Sequence, residues 1–395
     1  MTRVLELSAQ AAGGVRAHIR QVSQLLAKDG HQVLLAGPSN VISPADDAVS
    51  GACLRTYQID IGARPSRADL KALRQLKQLA ATAQVIHAHG LRAGALAVLA
   101  VKRLPAAKRP RVVVTLHNLP VGSASTRLVG QALHLVVVKG ADYVLTVSPD
   151  LLEKAKQLGL KAGEIAVVPA PARGCADCGC MDRAAQSEIS QASAQSSHAG
   201  SGVGTGSGVG AGSSYGASSA AGSGATPCVL TIARLAPQKG LDLLLEAAAL
   251  IKQRGIDFTW LVAGDGPLKA QLNQQIAAAA LPVKLLGRRE DIGALLSQAD
   301  VVVQTSYWEG QPLTLREAMQ AGRAIVATDV GGSAYTLAGC GQLVEPQAGP
   351  LADAVVAVIS DPKRRESLEA ASRAAVAKIP GETQLREQLD RVLKL

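Results

Sequence analysis

Short, nearly continuous apolar runs recur along the chain, each followed by a longer stretch of helical character. Arg3–Ser8, His31–Ala36, Gln84–His89, Arg111–His117, Asp142–Ser148 and a run ending at Val168 read as strands in the first half. Cys228–Arg234, Phe258–Gly266, Val283–Arg288, Val301–Gln304 and Ala324–Ala327 do so in the second. Helices are predicted up to Lys28, over Pro65–Thr82, from Asp150, from Leu241, after Pro312, through Pro350–Lys378 and over Glu382–Leu393. Strands alternating with helices in two separate blocks predict an α/β protein of two doubly wound, Rossmann-like domains facing a cleft.

The block boundary is set by composition. Residues 172–226 carry Cys175, Cys178 and Cys180 and then a Ser/Gly/Ala tract without apolar periodicity. That tract reads as a flexible linker or insertion, and its 28 residues from Ala199 to Thr226 would span about 30 Å. The expected organisation is residues 1–171, this linker, residues 227–378, and a C-terminal helix in 379–395 packing back on the first domain. Three Cys in one short segment are half of a metal site, but no second Cys/His cluster completes it and His198 stands alone. Gly206, Gly208 and Ala211 fit G-x-G-x-x-A, yet no strand precedes them and no helix follows.

At 395 residues the chain is long enough for two substantial cores. Apolar residues make up 48%, but no uninterrupted apolar run is long enough to cross a bilayer. The first residues, MTRVLELSA, enter a strand directly, so no secretory leader is expected. Six cysteines with no regular framework suggest a reducing, cytoplasmic setting without disulfides. The net charge of +10 resides in the first half: residues 1–171 hold 21 Lys and Arg against 10 Asp and Glu. This excess predicts an anionic partner on that side, either an acceptor or a membrane surface. Arg67, Lys71 and Arg74 recur at helical spacing opposite Leu70, Leu73, Leu76 and Leu79. Such a basic face is either simply solvated or lies on an anionic membrane.

The densest chemistry lies in Val301–Gly332. A strand leads to Trp308-Glu309-Gly310, Pro312 sits where a helix begins, and Glu317 follows inside it. Helix-start amides favour an anion while the two carboxylates accept from hydroxyls, which points to a sugar nucleotide. Gly13-Gly14 opens a βαβ unit, as a tight turn or as a close approach for phosphate. Arg234 and Lys239-Gly240 place two cations near another helix start. His87 and His89 project to one side of a strand, but no third metal ligand at suitable spacing is apparent, so no metal is expected there.

The Val301–Gly332 segment resembles the signature of the retaining, family 4 glycosyltransferases (glycosyl transferases group 1) of GT-B fold, with its E-x(7)-E pair at Glu309 and Glu317. The opening GG…GHxV is matched by Gly13, Gly14, Gly30, His31 and Val33. The TxHD/N element is matched at His117-Asn118, and the GRLxxxKG loop at Arg234, Lys239 and Gly240. The chain departs from the family at Pro169-Ala170-Pro171-Ala172-Arg173, where a PNGVD-like turn is usual.

The resemblance implies transfer of a sugar from a nucleotide-diphospho-sugar to an acceptor hydroxyl, in lipopolysaccharide, exopolysaccharide or glycolipid synthesis. It implies catalytic roles for His117, Arg234, Lys239 and Glu309. It places donor contacts at Gly13, Gly14, Leu286, Gly287, Arg288, Gly310, Gln311, Pro312, Leu313, Thr314 and Glu317. Gly264, Gly266 and Pro267 would be architectural, and His89, Arg67, Lys71 and Arg74 would lie on the acceptor side. No cofactor is expected, and without an Asp-x-Asp triplet the chemistry should be metal-independent. The implied partners are the donor, a carbohydrate or lipid-linked acceptor and an anionic membrane, not nucleic acid. The implied location is the cytoplasm, at the inner face of the membrane. A sugar-nucleotide epimerase or hydrolase of the same fold, and a non-catalytic sugar-nucleotide-binding protein, are the alternatives.

Overall fold

The computed structural model describes residues 1–11, 13–42, 53–62, 66–118, 124–169 and 226–395. Ala170–Arg173, the three clustered cysteines, His198, the glycine tract and Pro65 lie outside the described residues.

The first domain contains strands β1 (Arg3–Ser8), β2 (Gln32–Gly37), β3 (Leu54–Gln58), β4 (Val85–His89), β5 (Arg111–Leu116), β6 (Tyr143–Thr146) and β7 (Gly163–Ile165). All are parallel, in the order β3-β2-β1-β4-β5-β6-β7. Helices α1 (Gly14–Lys28), α2 (Ala68–Ala80), α3 (Leu91–Lys102), α4 (Ala124–Gly140) and α5 (Pro149–Gln157) connect them. A parallel sheet is covered on both faces, which is why β4 and most of β1 and β5 are buried at every position.

The second domain repeats the scheme. Its strands are β8 (Cys228–Ile232), β9 (Thr259–Ala263), β10 (Val283–Gly287), β11 (Val301–Gln304), β12 (Ala324–Thr328) and β13 (Gln342–Val344), in the parallel order β10-β9-β8-β11-β12-β13. The helices are α6 (Leu241–Gln253), α7 (Lys269–Ala278), α8 (Ile292–Gln298), α9 (Leu313–Gln320), α10 (Ser333–Leu337), α11 (Ala348–Ile359) and α12 (Pro362–Ala375). In each sheet the strand order reverses beside the first strand, at β1/β4 and at β8/β11, where open α/β sheets leave a crevice at the strand ends.

The last helix, α13 (Glu382–Leu393), crosses back to the first domain. Leu385, Leu389, Val392 and Leu393 join the core containing Val4, Ile19, Val33 and Val113. Polar bonds fix its seat: Gln388 Oε1 accepts from the Val167 amide at 2.7 Å, and Arg111 Nε donates to the Val392 carbonyl at 2.8 Å.

Two expectations are corrected. The helix drawn over Pro65–Thr82 is shorter, Ala68–Ala80, and Leu70 is 63% exposed rather than part of the inward face, which is built on Ala72, Leu76 and Ala80. Pro312 is the N-cap of α9, at φ −68° and ψ 110°, one residue before the helix proper.

Candidate active site

A cleft of about 630 Å³ lies between the two sheets. From the first domain it is lined by Gly13, Gly14, His18, His117 and Asn118. Arg234, Lys239, Arg288 and Glu309–Leu315 close it from the second.

Local sequence explains how each wall is set. Gly13, at φ +57°, caps α1 in a conformation that a Cβ would strain, and so aims the first amides of α1 into the cleft. Across from it, α9 starts at Leu313, whose Cδ1 would stand 3.2 Å from a Cβ on Gly14. Two helix N-termini, one per domain, therefore meet at the same space, and both favour an anion there.

Lys239 Nζ lies 2.5 Å from Glu309 Oε1, which also accepts from Ser306 Oγ at 2.6 Å. Lys239 is held by its backbone: Gly240 adopts a left-handed φ of +58°, and the Lys239 carbonyl accepts from Thr305 Oγ1 at 2.8 Å. A Cβ on Gly240 would overlap the Thr305 carbonyl oxygen. Arg234 is exposed in the cleft and has no ion pair among the described residues. Trp308 Nε1 donates to Asp150 Oδ2 at 2.8 Å and Gln311 Nε2 to the Ala166 carbonyl at 2.7 Å, tying the two domains together beside the cleft.

Not every expected residue arrives there. Leu286 and Gly287 end β10 outside the lining, although Arg288 lies in it, and Glu317 sits half-buried beyond the lining, inside α9. Arg67, Lys71 and Arg74 stand on the outer face of α2. His89 is fully covered behind His117. Gly264 and Gly266 pack so tightly on Ala233 and Leu235 that added Cβ atoms would collide with backbone.

The absence of a third ligand beside His87 and His89 is also corrected. Register pairs Glu6 with His87 across β1 and β4, so Glu6 shares their side of the sheet. Its carboxylate accepts from His87 Nδ1 at 3.1 Å and from His89 Nε2 at 2.7 Å. Ligand-type atoms of the three lie within 4.8 Å of one another, where they hydrogen-bond to one another. Burial alone would raise the Glu6 carboxyl, but His87 and His89 outweigh it and bring it down to about 2. Burial pushes His89 down to about 4 and His18 to about 3, and it holds His117 well below the usual imidazole range.

Two cleft neighbours carried no warning in the sequence. His18 on α1 stacks edge-on to both His89 and His117, with ring centroids 6.1 and 5.9 Å away. Arg316, 2% exposed, directly precedes Glu317 on α9. Its Nη2 donates to Gln311 Oε1, its Nη1 has no partner among the described residues, and burial lowers the guanidinium to about 10.

Comparison with known proteins agrees with this geometry. Residues 13–171 match the family profile described as glycosyl transferase 4-like domain, and residues 226–361 match that of the glycosyl transferases group 1. The chain belongs to the group 1 glycosyltransferases, and its two-domain architecture is the GT-B fold. It is 35% identical over 149 residues to an alpha-D-kanosaminyltransferase of Streptomyces kanamyceticus, covering 36% of this chain and 39% of that protein. Over 150 residues it is 35% identical to a phosphatidyl-myo-inositol mannosyltransferase of Mycobacterium tuberculosis, covering 35% of this chain and 39% of the relative. The matched stretch thus spans about two fifths of each relative's length. Among solved structures, Anabaena Alr3699/HepE in complex with UDP-glucose superposes with a TM-score of 0.72 at 19% identity, over 100% of both chains.

Proposed function

We propose that this chain is a retaining glycosyltransferase that moves a sugar from a nucleotide-diphospho-sugar to an acceptor hydroxyl. The observation that carries the reading is the convergence, in one interdomain cleft, of Arg234, Lys239 and the N-termini of α1 and α9 beside the buried carboxylate of Glu309. Arg234 takes a diphosphate through its guanidinium fork and Lys239 as a point charge. Together with helix-start amides they stabilise the charge that grows on the departing nucleoside diphosphate. Glu309 is well placed to receive sugar hydroxyls, whereas Glu317, half-buried beyond the cleft lining, is given no donor contact. The acceptor oxygen attacks the anomeric carbon from the face the diphosphate leaves, and the acceptor proton passes to the departing phosphate oxygen. The described cleft offers no second carboxylate opposite Glu309 of the kind a double displacement uses. Neither a metal nor a cofactor is needed for these steps.

The solved neighbour bound to UDP-glucose and the relative named for a phosphatidyl-inositol acceptor support a nucleotide-sugar donor and a glycan or lipid-linked acceptor. Among the described residues no helix is long and apolar enough to cross a membrane. The basic face of α2, with exposed Leu70 between Arg67 and Lys71, and exposed Leu128, Val129 and Leu135 on α4 support contact with an anionic membrane face from the cytoplasmic side. Release of nucleoside diphosphate from a panel of nucleotide sugars, with and without saccharide and lipid acceptors, tests the reading. Acceptor-dependent release is expected; acceptor-independent turnover of every donor would replace transfer by hydrolysis or epimerisation.

A further inference from the structure

Four histidines and one glutamate are buried at and behind the first-domain wall of the cleft, and the transfer steps above use none of them. Glu6, His87, His89 and His117 are joined by hydrogen bonds into one directed chain, against which His18 packs edge-on. Glu6 is ionised and can only accept, so the ring nitrogens facing it must carry hydrogens: Nδ1 of His87 and Nε2 of His89. In a neutral ring the other nitrogen is then a lone pair. On His87 that is Nε2, which takes the Thr115 hydroxyl at 2.8 Å. On His89 it is Nδ1, which faces Nε2 of His117 at 3.3 Å. His117 must therefore carry its hydrogen on Nε2. Its only hydrogen bond among the described residues is made by Nε2, so its Nδ1 is left as a bare lone pair in a ring that lines the cleft.

We propose that Glu6, acting through His89, is a positioning residue that locks His117 in the Nε2–H tautomer, so that His117 presents an acceptor to a hydroxyl of the transferred sugar. This rests on the transferase reading for the ligand, but the tautomer belongs to the free protein. Register explains how the parts assemble: Glu6 lies opposite His87, Ser8 opposite His89, and His89 opposite Thr115. The period of two along each strand then keeps Glu6, His87, His89 and Thr115 on one side. His18 and Arg316, the remaining ionisable groups acting on this cluster, favour its neutrality. Arg316 and the two strand histidines all disfavour a positive charge on His18, and His18 and His89 do the same to His117. A neutral lone pair also selects its ligand: a donor sugar without a hydroxyl at that point would leave the acceptor without its partner.

The test is nitrogen-15 NMR of the histidine-labelled, full-length protein, in which protonated and bare ring nitrogens resonate apart. His89 and His117 are expected to be neutral and protonated on Nε2 at pH 7 and still at pH 5.5. His89→Leu should remove the lock and let the His117 Nε2 hydrogen exchange with solvent. His89→Gln, which keeps both an acceptor and a donor, should restore the slow hydrogen. In turnover, His89→Leu should lower kcat/KM for the donor sugar roughly ten- to a hundredfold, with nucleoside diphosphate affinity unchanged. A His117 protonated on Nδ1, a cationic His117 at pH 7, or a bare Nε2 on His89, as metal binding would produce, overturns the proposal. None of these results bears on whether the cleft binds a nucleoside diphosphate, so the two readings fail separately.

Discussion

Lys239 Nζ and Glu309 Oε1 stand 2.5 Å apart, with 26% and 10% of their side chains exposed. The pair joins the loop after β8 to the loop after β11, the two strands flanking the point where the sheet order reverses. Without a ligand, Glu309 neutralises Lys239. Under the transferase reading, a bound diphosphate would offer Lys239 a stronger anion and free Glu309, still anchored by Ser306, for sugar hydroxyls, so that one contact would couple phosphate binding to sugar recognition.

Lys239→Ala should reduce kcat roughly 10²–10³-fold while leaving the fold intact, because the side chain is only partly buried. Steady-state turnover against the wild type checks this. Near-full activity would remove Lys239 from the mechanism.

The buried histidines predict acid sensitivity. Burial depresses His89 to about 4 and His18 to about 3, whereas unfolded histidine protonates near pH 6.5. The folded state therefore binds fewer protons. Stability is fully present above about pH 6.5 and is lost as pH falls, by up to about 1.4 kcal/mol per pH unit for each such ring. Glu6, lowered to about 2, adds a loss as pH drops below its unfolded value of 4.5. The melting temperature should be level from pH 7 to 8 and decline below 6.5. A flat profile down to pH 5 would contradict the buried, neutral assignment.

Much of this architecture was legible in the sequence. Buried parallel strands are continuous apolar runs, so Arg3–Ser8 and Val301–Gln304 coincide with β1 and β11, and Glu382–Leu393 with α13. The cations and glycines of the cleft sit in local loops that one segment can reveal. Glu6 lay hidden because it is the one acidic letter inside RVLELS, and its meaning depends on register with a strand some eighty residues away. His18 and Arg316 were missed for a related reason. A lone polar residue on a helix gives no sign of which face is buried until the partner domain is in place.

Gly240→Ala should unfold the Lys239 loop locally. The left-handed φ of +58° and the overlap with the Thr305 carbonyl leave no room for a methyl group. The loss should be at least about 1 kcal/mol, or roughly 2–4 °C in melting temperature, with nucleotide binding weakened as well. A variant as stable as the wild type would show that the loop can adopt another path.

The return of α13 to the first domain predicts a stability role for residues remote from the cleft. Leu389, 2% exposed in that core, should cost about 2–5 kcal/mol when changed to Ala. Denaturant unfolding reads this directly. A loss below about 0.5 kcal/mol would mean that the helix is not docked in solution.

Thermal unfolding of the wild type and of Lys239→Ala with UDP, GDP and ADP bears most directly on the central claim. One of the three should raise the wild-type melting temperature by mass action, and the shift should vanish in the variant. That result would place a diphosphate on Lys239 and identify the base. No stabilisation by any of the three would contradict a nucleotide-sugar site in this cleft.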